Sequence, residues 1–419
     1  MIFDPSPAYD YLTDTPLGTW RYRAAYGGRG AAKSWEFCDG AIYHTLVTPE
    51  LRTVFLREVQ ATLKESSLEL TRSRLKHYDL IGKRAFSYFR ETDGAFIGNH
   101  DQKILFTGLW KGGKPEGIKS LEGAGLTVLE EAQEVKQKSL DVLLPTVMRT
   151  PISELWALWN PWLETDPVDM FFRGPIKPKR AIVRRINYDK NPHFPEALEE
   201  QRVLDFSKDR NRAAWIWDGK YSPGVANSIW TRDTLDEAYR RGAVLRGDAW
   251  GSWGRVVIGV DPSGGGDDVG IVAVAEYGED GCVVLEDCTA PATNPLGWAT
   301  AVAKCVRRWS ADCVVAEKNF GGDMVASNLR AGGVDIRIID GTATRGKHVR
   351  AEPVASLYDQ GRVAHLEDFK PLESELLMTT PKGYEGNFSP NRMDALVWAV
   401  TALELSAAPQ AAMLLKTRK

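Results

Sequence analysis

The sequence has 419 residues, enough for two or three domains that each bury a core. Its 43% hydrophobic and 26% charged residues are typical of an ordinary globular protein, and no apolar run approaches the roughly 20 residues that cross a bilayer, which excludes a membrane-spanning chain. The net charge of −3 does not exclude a DNA-binding protein, because local basic patches decide such binding and carboxylates at metal sites lower the total.

The cysteines are odd in number and show no CxxC spacing. They predict reduced, mostly buried thiols of the kind found in cytosolic proteins. The N-terminus has no charged segment followed by an apolar one, so we expect a soluble protein inside the cell. The cysteines are Cys38, Cys282, Cys288, Cys305 and Cys313.

A glycine-rich segment follows the first predicted strand, residues 21–26. In a phosphate-binding loop, glycines let backbone N–H groups approach phosphate oxygens, a lysine neutralises the β- and γ-phosphates, and a hydroxyl ligates Mg²⁺. Gly27, Lys33 and Ser34 have the spacing of such a loop, but Ala32 replaces its second glycine, and we expect the Cβ there to keep φ negative. The alternative is a glycine-rich turn before a helix. The loop comprises Gly27, Gly28, Arg29, Gly30, Ala31, Ala32, Lys33 and Ser34.

Two acids, Glu130 and Glu131, end a later apolar strand over residues 126–129. Open α/β sheets bind ligands at the carboxyl ends of their strands, so we expect these acids beside the phosphate loop. Glu130 would then hold Mg²⁺, directly or through water, and Glu131 would polarise the attacking water. The alternative is that both acids begin a solvated helix over residues 131–136.

Two further residues are candidates at the same site. Arg29, inside the loop, is placed to stabilise charge on the γ-phosphate in the transition state, and its alternative role is that of an exposed turn residue. Asn160 follows a predicted buried strand over residues 155–159 and is placed to sense the γ-phosphate. Capping a turn is the alternative for Asn160.

A second group of acids lies in the C-terminal half. Asp261 ends an apolar strand over residues 255–260, and a glycine-rich turn leads into a second strand over residues 269–274. Glu317 ends another apolar strand, and Asp394 lies in the first turns of a helix for which Ser389 is the expected cap and Pro390 the first residue.

Three acids in the order strand, strand, helix are what a two-metal nuclease requires. Two divalent cations about 3.5–4 Å apart stabilise the attacking and leaving oxygens of a phosphodiester and need hard oxygen ligands. Taken singly, these acids have simpler explanations, as turn residues or as compensation of a helix dipole. Asp267 and Asp268 are supporting candidates, because the hairpin brings one of them back towards Asp261, and turn formation explains them equally well.

Several basic stretches are candidate DNA contacts, and a solvated surface is the alternative for each. The stretch at residues 345–350 is the most interesting, because a basic loop flexed by glycine in the second half could follow a phosphate backbone. The others are residues 72–77 on a predicted helix, residues 177–180 with Arg184 and Arg185, and the terminal residues 416–419, which are either a docking tail or a disordered end.

Alternating strands and helices predict a mostly parallel, helix-covered sheet in the first half and a second α/β unit from residue 255 to about residue 407. The further predicted strands are residues 53–56, 104–106, 155–159 and 182–186, and the further predicted helices are residues 60–77 and 196–206. The tryptophan-rich stretch between the halves is left as a connector, whose tryptophans more often pack in a core than stack on bases.

These motifs together resemble the large terminase subunit of tailed double-stranded DNA bacteriophages. The matching segments are residues 26–34, residues 108–121 leading into residues 126–134, and the triad Asp261, Glu317 and Asp394, which cover the chain in the family's order. The resemblance implies a P-loop NTPase domain with a mostly parallel sheet, followed by a ribonuclease H-like α/β nuclease domain. It implies domains at residues 1–205 and 255–407, joined by a connector at residues 206–254 and followed by a tail at residues 408–419.

The resemblance also implies roles for single residues. Lys33 and Ser34 would bind ATP and Mg²⁺, Glu130 would be the Walker B acid and Glu131 the catalytic glutamate. Arg29 matches an arginine that the family often has in this loop, and Ala32 departs from the usual loop. The three later acids would hold Mg²⁺ or Mn²⁺, as two ions.

The expected function is ATP-driven movement of double-stranded DNA into a procapsid and metal-dependent cutting of concatemers. The implied partners are DNA, a small terminase subunit, the portal protein and further copies of the chain in a ring, with the host cytoplasm as location. A helicase-nuclease of repair or restriction is one alternative, although its additional helicase motifs are not apparent. A scaffold without catalysis, whose P-loop has decayed at Ala32, is the other.

Overall fold

The computed structural model describes residues 5–59, 64–82, 88–92, 94–110, 121–225, 227–248, 253–262, 268–292, 294–318, 323–341, 347–386 and 389–403. The chain divides into two compact units, Met1–Ser222 and Pro223–Lys419. Within the described residues, no helix is both long and apolar enough to cross a membrane.

The first unit contains an eight-stranded sheet with helices on both faces. Its strands are β1 (Tyr22–Tyr26), β2 (Arg52–Val59), β3 (Phe89–Thr92), β4 (Ala95–Gly98), β5 (Lys103–Trp110), β6 (Leu126–Leu129), β7 (Glu154–Trp159) and β8 (Ala181–Arg185). Its helices are α1 (Lys33–Val47), α2 (Glu69–His77), α3 (Gln137–Val147), α4 (Pro167–Arg173), α5 (Glu196–Lys208) and α6 (Arg210–Asp218).

The strand order in the first sheet is β3-β4-β5-β2-β6-β7-β1-β8. Six neighbouring strands of this order pair in parallel, namely β5, β2, β6, β7, β1 and β8. Strands β3 and β4 add an antiparallel edge. Successive residues of a strand face opposite sides, and Trp156 accordingly packs in a cluster with Phe37 of α1, whereas Leu155 packs in a cluster with Leu143 of α3. All six parallel strands therefore present their carboxyl ends at one edge, where the phosphate loop and the first pair of acids follow strands β1 and β6.

The second unit is built on a mixed sheet with strand order β14-β13-β9-β10-β11-β15, and β12 pairs with β10. Its strands are β9 (Val256–Asp261), β10 (Asp268–Tyr277), β11 (Gly281–Asp287), β12 (Ala290–Pro291), β13 (Cys313–Glu317), β14 (Arg337–Gly341), β15 (Val363–His365) and the separate hairpin β16 (Thr379–Thr380) with β17 (Gly383–Tyr384). Its helices are α7 (Arg232–Asp248), α8 (Pro295–Trp309), α9 (Asp323–Ala331), α10 (Lys347–Asp359), α11 (Lys370–Leu377) and α12 (Asn391–Ala402).

Helices cover both faces of this second sheet. Val257 and Val315 pack in a cluster with Met393 of α12, and Ile258 packs in the opposite cluster with Val302 of α8. The predicted hairpin is confirmed, because β9 and β10 pair antiparallel with Gly270 opposite Asp261. Both units thus have the expected α/β architecture.

Three predicted elements differ in extent or composition. The predicted helix over residues 60–77 is shorter, because residues 64–68 form a π-helical turn before α2, and residues 60–63 lie outside the described part of the chain. Helix α12 begins at Asn391, one residue later than expected, with Pro390 rather than Ser389 in the capping position, because the ψ of 60° at Pro390 is not helical. The stretch left as a connector contains the helices α6 and α7, which belong to different units.

Among the described tryptophans of this stretch, two are core residues and two, Trp215 and Trp253, are partly buried. Trp217 and Trp230 are buried, and the indole N–H of Trp217 donates to Asp205. Residues 249–252, residues 342–346, which include the first two residues of the basic stretch, and the tail from residue 404 lie outside the described part of the chain.

Candidate nucleotide and metal sites

The phosphate loop joins the end of β1 to the start of α1 and lies beside strands β7 and β8. Gly27 has φ +153°, and a Cβ on it would lie 1.9 Å from the carbonyl oxygen of Ile186. A Cβ on Gly28 would lie 2.1 Å from the carbonyl oxygen of Trp217. Only glycine fits at these two positions, because the neighbouring backbone comes too close for any side chain.

The structure corrects the expectation for Ala32. Its backbone has φ +61° and ψ 15°, in the left-handed region, immediately before Lys33 begins α1. The turn from strand to helix requires this conformation, which glycine adopts without cost and an alanine adopts at about 1–2 kcal/mol. Ala32 therefore keeps the backbone of the second loop glycine rather than changing it to a negative φ.

Lys33 lies inside the loop and is paired with its backbone. Its ammonium donates to the carbonyl oxygens of Gly27 at 2.8 Å and Gly28 at 2.7 Å. Burial, with a smaller contribution from the charge of Arg29, lowers the pKa of Lys33 to about 7. When a phosphate binds, the Lys33 ammonium would exchange two neutral acceptors for a charged one. This exchange would favour the protonated form of the lysine.

Residues after β8 contact the outside of the loop. The backbone N–H of Gly28 donates to Oδ1 of Asn187 at 2.9 Å, and that of Arg29 donates to the carbonyl oxygen of Ile216 at 2.6 Å. These contacts fix the first half of the loop. The side chains of Arg29 and Ser34 remain exposed, as a γ-phosphate contact and a Mg²⁺ ligand require.

The first pair of acids stands at the carboxyl end of β6, with β7 between them and the loop strand β1. Glu130 is buried, and burial raises its carboxyl pKa against the lowering effect of its polar neighbours. Glu131 has φ +47° and a side chain that is 45% exposed. The alternative of a solvated helix is wrong, because only a short 3-10 turn, Ala132–Glu134, follows. Asn160 comes directly after β7, in the same row of strand ends.

Arg57, near the end of the neighbouring strand β2, joins the two acids. Its guanidinium lies 3.0 Å from Glu130 Oε2 and 3.2 Å from Glu131 Oε1, and Ser67 Oγ also donates to Glu130. The Arg57 side chain is 11% exposed, so this is a largely buried ion pair. Sequence reasoning missed Arg57, because a single arginine in an apolar strand gives no local sign of the carboxylates opposite it.

The donor set fits a nucleotide with Mg²⁺. The glycine positions admit no Cβ, Lys33 is an ammonium held by neutral acceptors, Ser34 offers a hydroxyl, and Glu130 offers a hard oxygen ligand. Each group is of the kind that phosphate or Mg²⁺ prefers in proteins.

The structure brings the three later acids to one face of the second sheet. Ala316 pairs with Val260, so Glu317 and Asp261 end adjacent strands side by side. Helix α12 packs closely over them, because a Cβ on Gly259 would lie 1.9 Å from the carbonyl oxygen of Ala395. The exposed fractions of these acids are low: 4% for Asp261, 9% for Glu317 and 0% for Asp394.

Three buried carboxylates on adjacent elements are a fit for hard divalent cations. Buried carboxylates are costly unless a cation compensates them, and oxygen ligands are what Mg²⁺, Mn²⁺ and Ca²⁺ prefer. Arg350 supplies part of the compensation: Nη2 lies 3.6 Å from Asp394 Oδ1 and 3.9 Å from Glu317 Oε2. The sequence predicted the basic stretch ending at Arg350 as a loop that follows DNA, with a solvated surface as the alternative, and gave no sign that it contacts the acids.

Asp268 lies at the start of β10 and pairs with Arg392 at 3.1 Å. The same guanidinium also contacts Asp287 and Glu375. Asp267 lies outside the described residues.

A second group of potential metal ligands lies elsewhere in this unit. Glu286, Cys288 and Cys305 place their ligand atoms within 4.8 Å of one another. Both oxygens of Glu286 are engaged, one by Arg308 and one by the indole N–H of Trp309. The cysteine spacing gave no sign of this cluster, because its members come from a strand, a loop and a helix.

The fold and these two sites define a class of protein: an ATPase joined in one chain to a ribonuclease H-like nuclease. The sequence matches the family described as phage terminase large subunit over residues 20–220 and the terminase RNaseH-like domain over residues 258–403. The chain belongs to the large terminase subunit family of bacteriophages.

Solved structures of large terminases resemble this chain at low identity. The HK97 bacteriophage large terminase is 11% identical, covers 96% of this chain and 95% of its own, and has a TM-score of 0.49. A large terminase of a thermophilic bacteriophage in complex with ADP is 10% identical, covers 96% and 100%, and has a TM-score of 0.43. A mutant large terminase nuclease of bacteriophage Sf6 with calcium is 16% identical, covers 41% and 97%, and has a TM-score of 0.32. No curated protein matches the sequence.

The family settles the enzyme class. This chain is a large terminase subunit with a packaging ATPase domain and an endonuclease domain, and it works with DNA and the packaging machinery of a phage. The helicase-nuclease and scaffold alternatives are not favoured.

Proposed function

We propose that ATP hydrolysis in residues 1–205 drives double-stranded DNA into a procapsid and that residues 255–407 cut concatemeric DNA into genome units. The observation that supports this is the presence of two candidate sites in one chain: a glycine loop with a pair of acids at the same edge of one sheet, and a cluster of three buried carboxylates in the second unit. Residues 206–254 would connect the two activities, and residues 408–419 would form a tail.

In the ATPase unit, the backbone of Gly27–Ser34 would hold the phosphates and Lys33 would neutralise them. Mg²⁺, held by Ser34 and Glu130, would offset the charge of the β- and γ-phosphates. Glu131, whose exposed carboxylate stands at the strand end, would orient the attacking water, and Arg29 would stabilise charge on the γ-phosphate. Asn160 would report the state of the phosphate to the adjacent strands.

In the nuclease unit, Asp261, Glu317 and Asp394 would hold two divalent ions, Mg²⁺ or Mn²⁺. Bound there, the ions would supply a nucleophilic water and stabilise the leaving oxygen of the phosphodiester. The residues themselves would fix the ions' position, because two acids end adjacent strands and the third is held by the close packing of α12. Asp268 would support this site from the neighbouring strand β10.

The proposed partners and location follow from DNA packaging and cutting. A small terminase subunit would select DNA, the portal protein would receive it, and several copies of this chain would form a ring on the portal. These encounters would take place in the host cytoplasm.

Lysine removal tests the motor. We expect Lys33→Ala to abolish DNA-stimulated ATP hydrolysis while leaving metal-dependent plasmid cleavage intact, because the two sites lie in separate units. A wild-type protein with no ATPase activity that this substitution removes would instead support the scaffold.

Carboxylate removal tests the nuclease. We expect Asp261→Asn to abolish plasmid cleavage in Mg²⁺ or Mn²⁺ and to leave ATP hydrolysis unchanged. Undiminished cutting by this variant would refute the three-acid site. Comparing the two metals in wild type decides which ion serves.

A further inference from the structure

Arg350 lies against the three-acid site rather than on an open surface. Its side chain is 13% exposed, and Nη2 faces both Asp394 Oδ1 and Glu317 Oε2. The guanidinium carbon lies 4.4 Å from the centre of the Trp398 ring, and the indole N–H of Trp398 reaches Glu317 Oε2 at 3.4 Å. The position of this cation is therefore set by one aromatic face and two carboxylates of the site.

These contacts are electrostatic rather than directional. The distances of 3.6 Å and 3.9 Å exceed those of hydrogen bonds, and among the described residues neither Nε nor Nη1 of Arg350 has a hydrogen-bond partner. An arginine built for permanent structure normally forms forked hydrogen bonds with a carboxylate. The Arg350 guanidinium is thus held by charge and by stacking on Trp398. It can leave the acids without breaking a hydrogen bond to them.

We propose that Arg350 is the built-in counter-cation of the nuclease site and that a divalent ion displaces it. This inference rests on the proposed role of Asp261, Glu317 and Asp394 as metal ligands. Without a metal, the guanidinium offsets part of the charge of three buried carboxylates, which would otherwise repel one another. The Arg350 guanidinium therefore stabilises the metal-free site and competes with the metal for the carboxylates.

Displacement follows from charge and distance. A divalent ion bound at about 2.1 Å from carboxylate oxygens interacts more strongly with them than a single positive charge beyond 3.5 Å. It also repels the guanidinium, which shares the same carboxylates. Arg350 would then turn away from the acids and present its donors outside the metal site.

Metal affinity of the full-length protein is the first test, measured by calorimetric titration with Mn²⁺ and without DNA or nucleotide. Asp261→Asn sets the background of Mn²⁺ bound elsewhere, and Arg350→Met removes the charge while keeping an apolar side chain against Trp398. We expect Arg350→Met to bind Mn²⁺ about tenfold more tightly than wild type, equivalent to about 1.4 kcal/mol. Arg240→Gln is the matched control and should keep the wild-type affinity, because Arg240 is an exposed arginine of the same unit whose ion pair among the described residues is with Glu237 of its own helix.

The outcomes separate this inference from the proposed nuclease site. If wild type and Asp261→Asn bind Mn²⁺ alike, the metal site itself is wrong. If binding depends on Asp261 but Arg350→Met has the wild-type affinity or a weaker one, only the role of Arg350 is wrong. A purely structural role for Arg350 would not tighten metal binding.

Chemical modification of the wild-type protein is the second test and needs no folded variant. Phenylglyoxal modifies accessible guanidinium groups, and peptide mapping by mass spectrometry follows Arg350 alone. We expect Arg350 to react slowly in EDTA and several-fold faster in Mn²⁺, with Arg240 unchanged between the two. An equal rate for Arg350 in EDTA and Mn²⁺ would overturn the displacement.

Discussion

Arg57 holds Glu130 through a buried ion pair at 3.0 Å and reaches Glu131 with its other terminal nitrogen. We predict that Arg57→Met destabilises the first unit by about 3 kcal/mol, because it leaves a buried carboxylate without its cation. It should also lower ATP hydrolysis, because Glu130 would take up a proton and lose its value as a Mg²⁺ ligand. Urea denaturation and an ATPase assay measure the two effects.

The matched control for this substitution is Arg72→Met. Arg72 pairs with Glu69 and Glu91, which are 60% and 36% exposed. Pairs of this kind contribute about 1 kcal/mol or less. Equal loss of stability in both variants would show that the buried Arg57 pair contributes no more to the free energy of unfolding than the exposed Arg72 pairs.

The left-handed backbone at Ala32 predicts a stabilising substitution. Ala32→Gly removes about 1–2 kcal/mol of conformational cost and adds about 0.5–1 kcal/mol of chain entropy, so we expect a net gain of about 0.5–1 kcal/mol with ATPase activity retained. Ala31→Gly is the control: Ala31 is buried and lacks a positive φ, so this change should destabilise. Denaturation midpoints decide, and a loss of stability in Ala32→Gly would contradict the left-handed conformation.

The lowered pKa of Lys33 predicts a pH dependence of nucleotide binding. In the free protein this pKa is about 7, and a bound phosphate raises it, so binding takes up a proton above pH 7. The charged fraction of Lys33 falls about fivefold from pH 7 to pH 8, and we expect the affinity for a non-hydrolysable ATP analogue to fall by the same factor. Below pH 7 the lysine is already charged, and the affinity should level off.

Lys33→Arg is the control for this pH dependence. An arginine stays charged over the whole range, so any remaining change in affinity belongs to the nucleotide or to other groups. Equal pH profiles in wild type and Lys33→Arg would mean that the lysine does not titrate near neutral pH.

The different surroundings of Asp394 and Asp268 predict different losses of nuclease activity. Asp394→Asn should abolish Mn²⁺-dependent cleavage, because its carboxylate is fully buried in the three-acid site. Asp268→Asn should lower cleavage by about 10- to 100-fold, because Asp268 is half exposed and paired with Arg392. A plasmid-nicking assay measures both, and complete inactivity of Asp268→Asn would make it a direct metal ligand.

Much of the fold could be predicted because buried strands are visible as apolar runs. Strands β6, β9 and β13 are buried along their length, and each apolar run leads to one of the candidate acids, Glu130, Asp261 or Glu317. The glycines at positions 27 and 28 also pointed to the loop, and the structure shows why glycine is needed there: neighbouring backbone lies too close for a Cβ at either position. The helices of the connector could not be predicted, because α6 and α7 bury only a narrow set of residues and belong to different units.

The sequence by itself determined the order and type of the two sites: a phosphate loop with its acids, then three carboxylates at strand ends and a helix. Only the tertiary structure decided which cations face those acids. Arg57 and Glu130 are 73 residues apart, and Arg350 and Glu317 come from a helix and a strand of the second unit. Local patterns record which residues are buried, whereas the pairing of a charge across elements depends on how the elements pack.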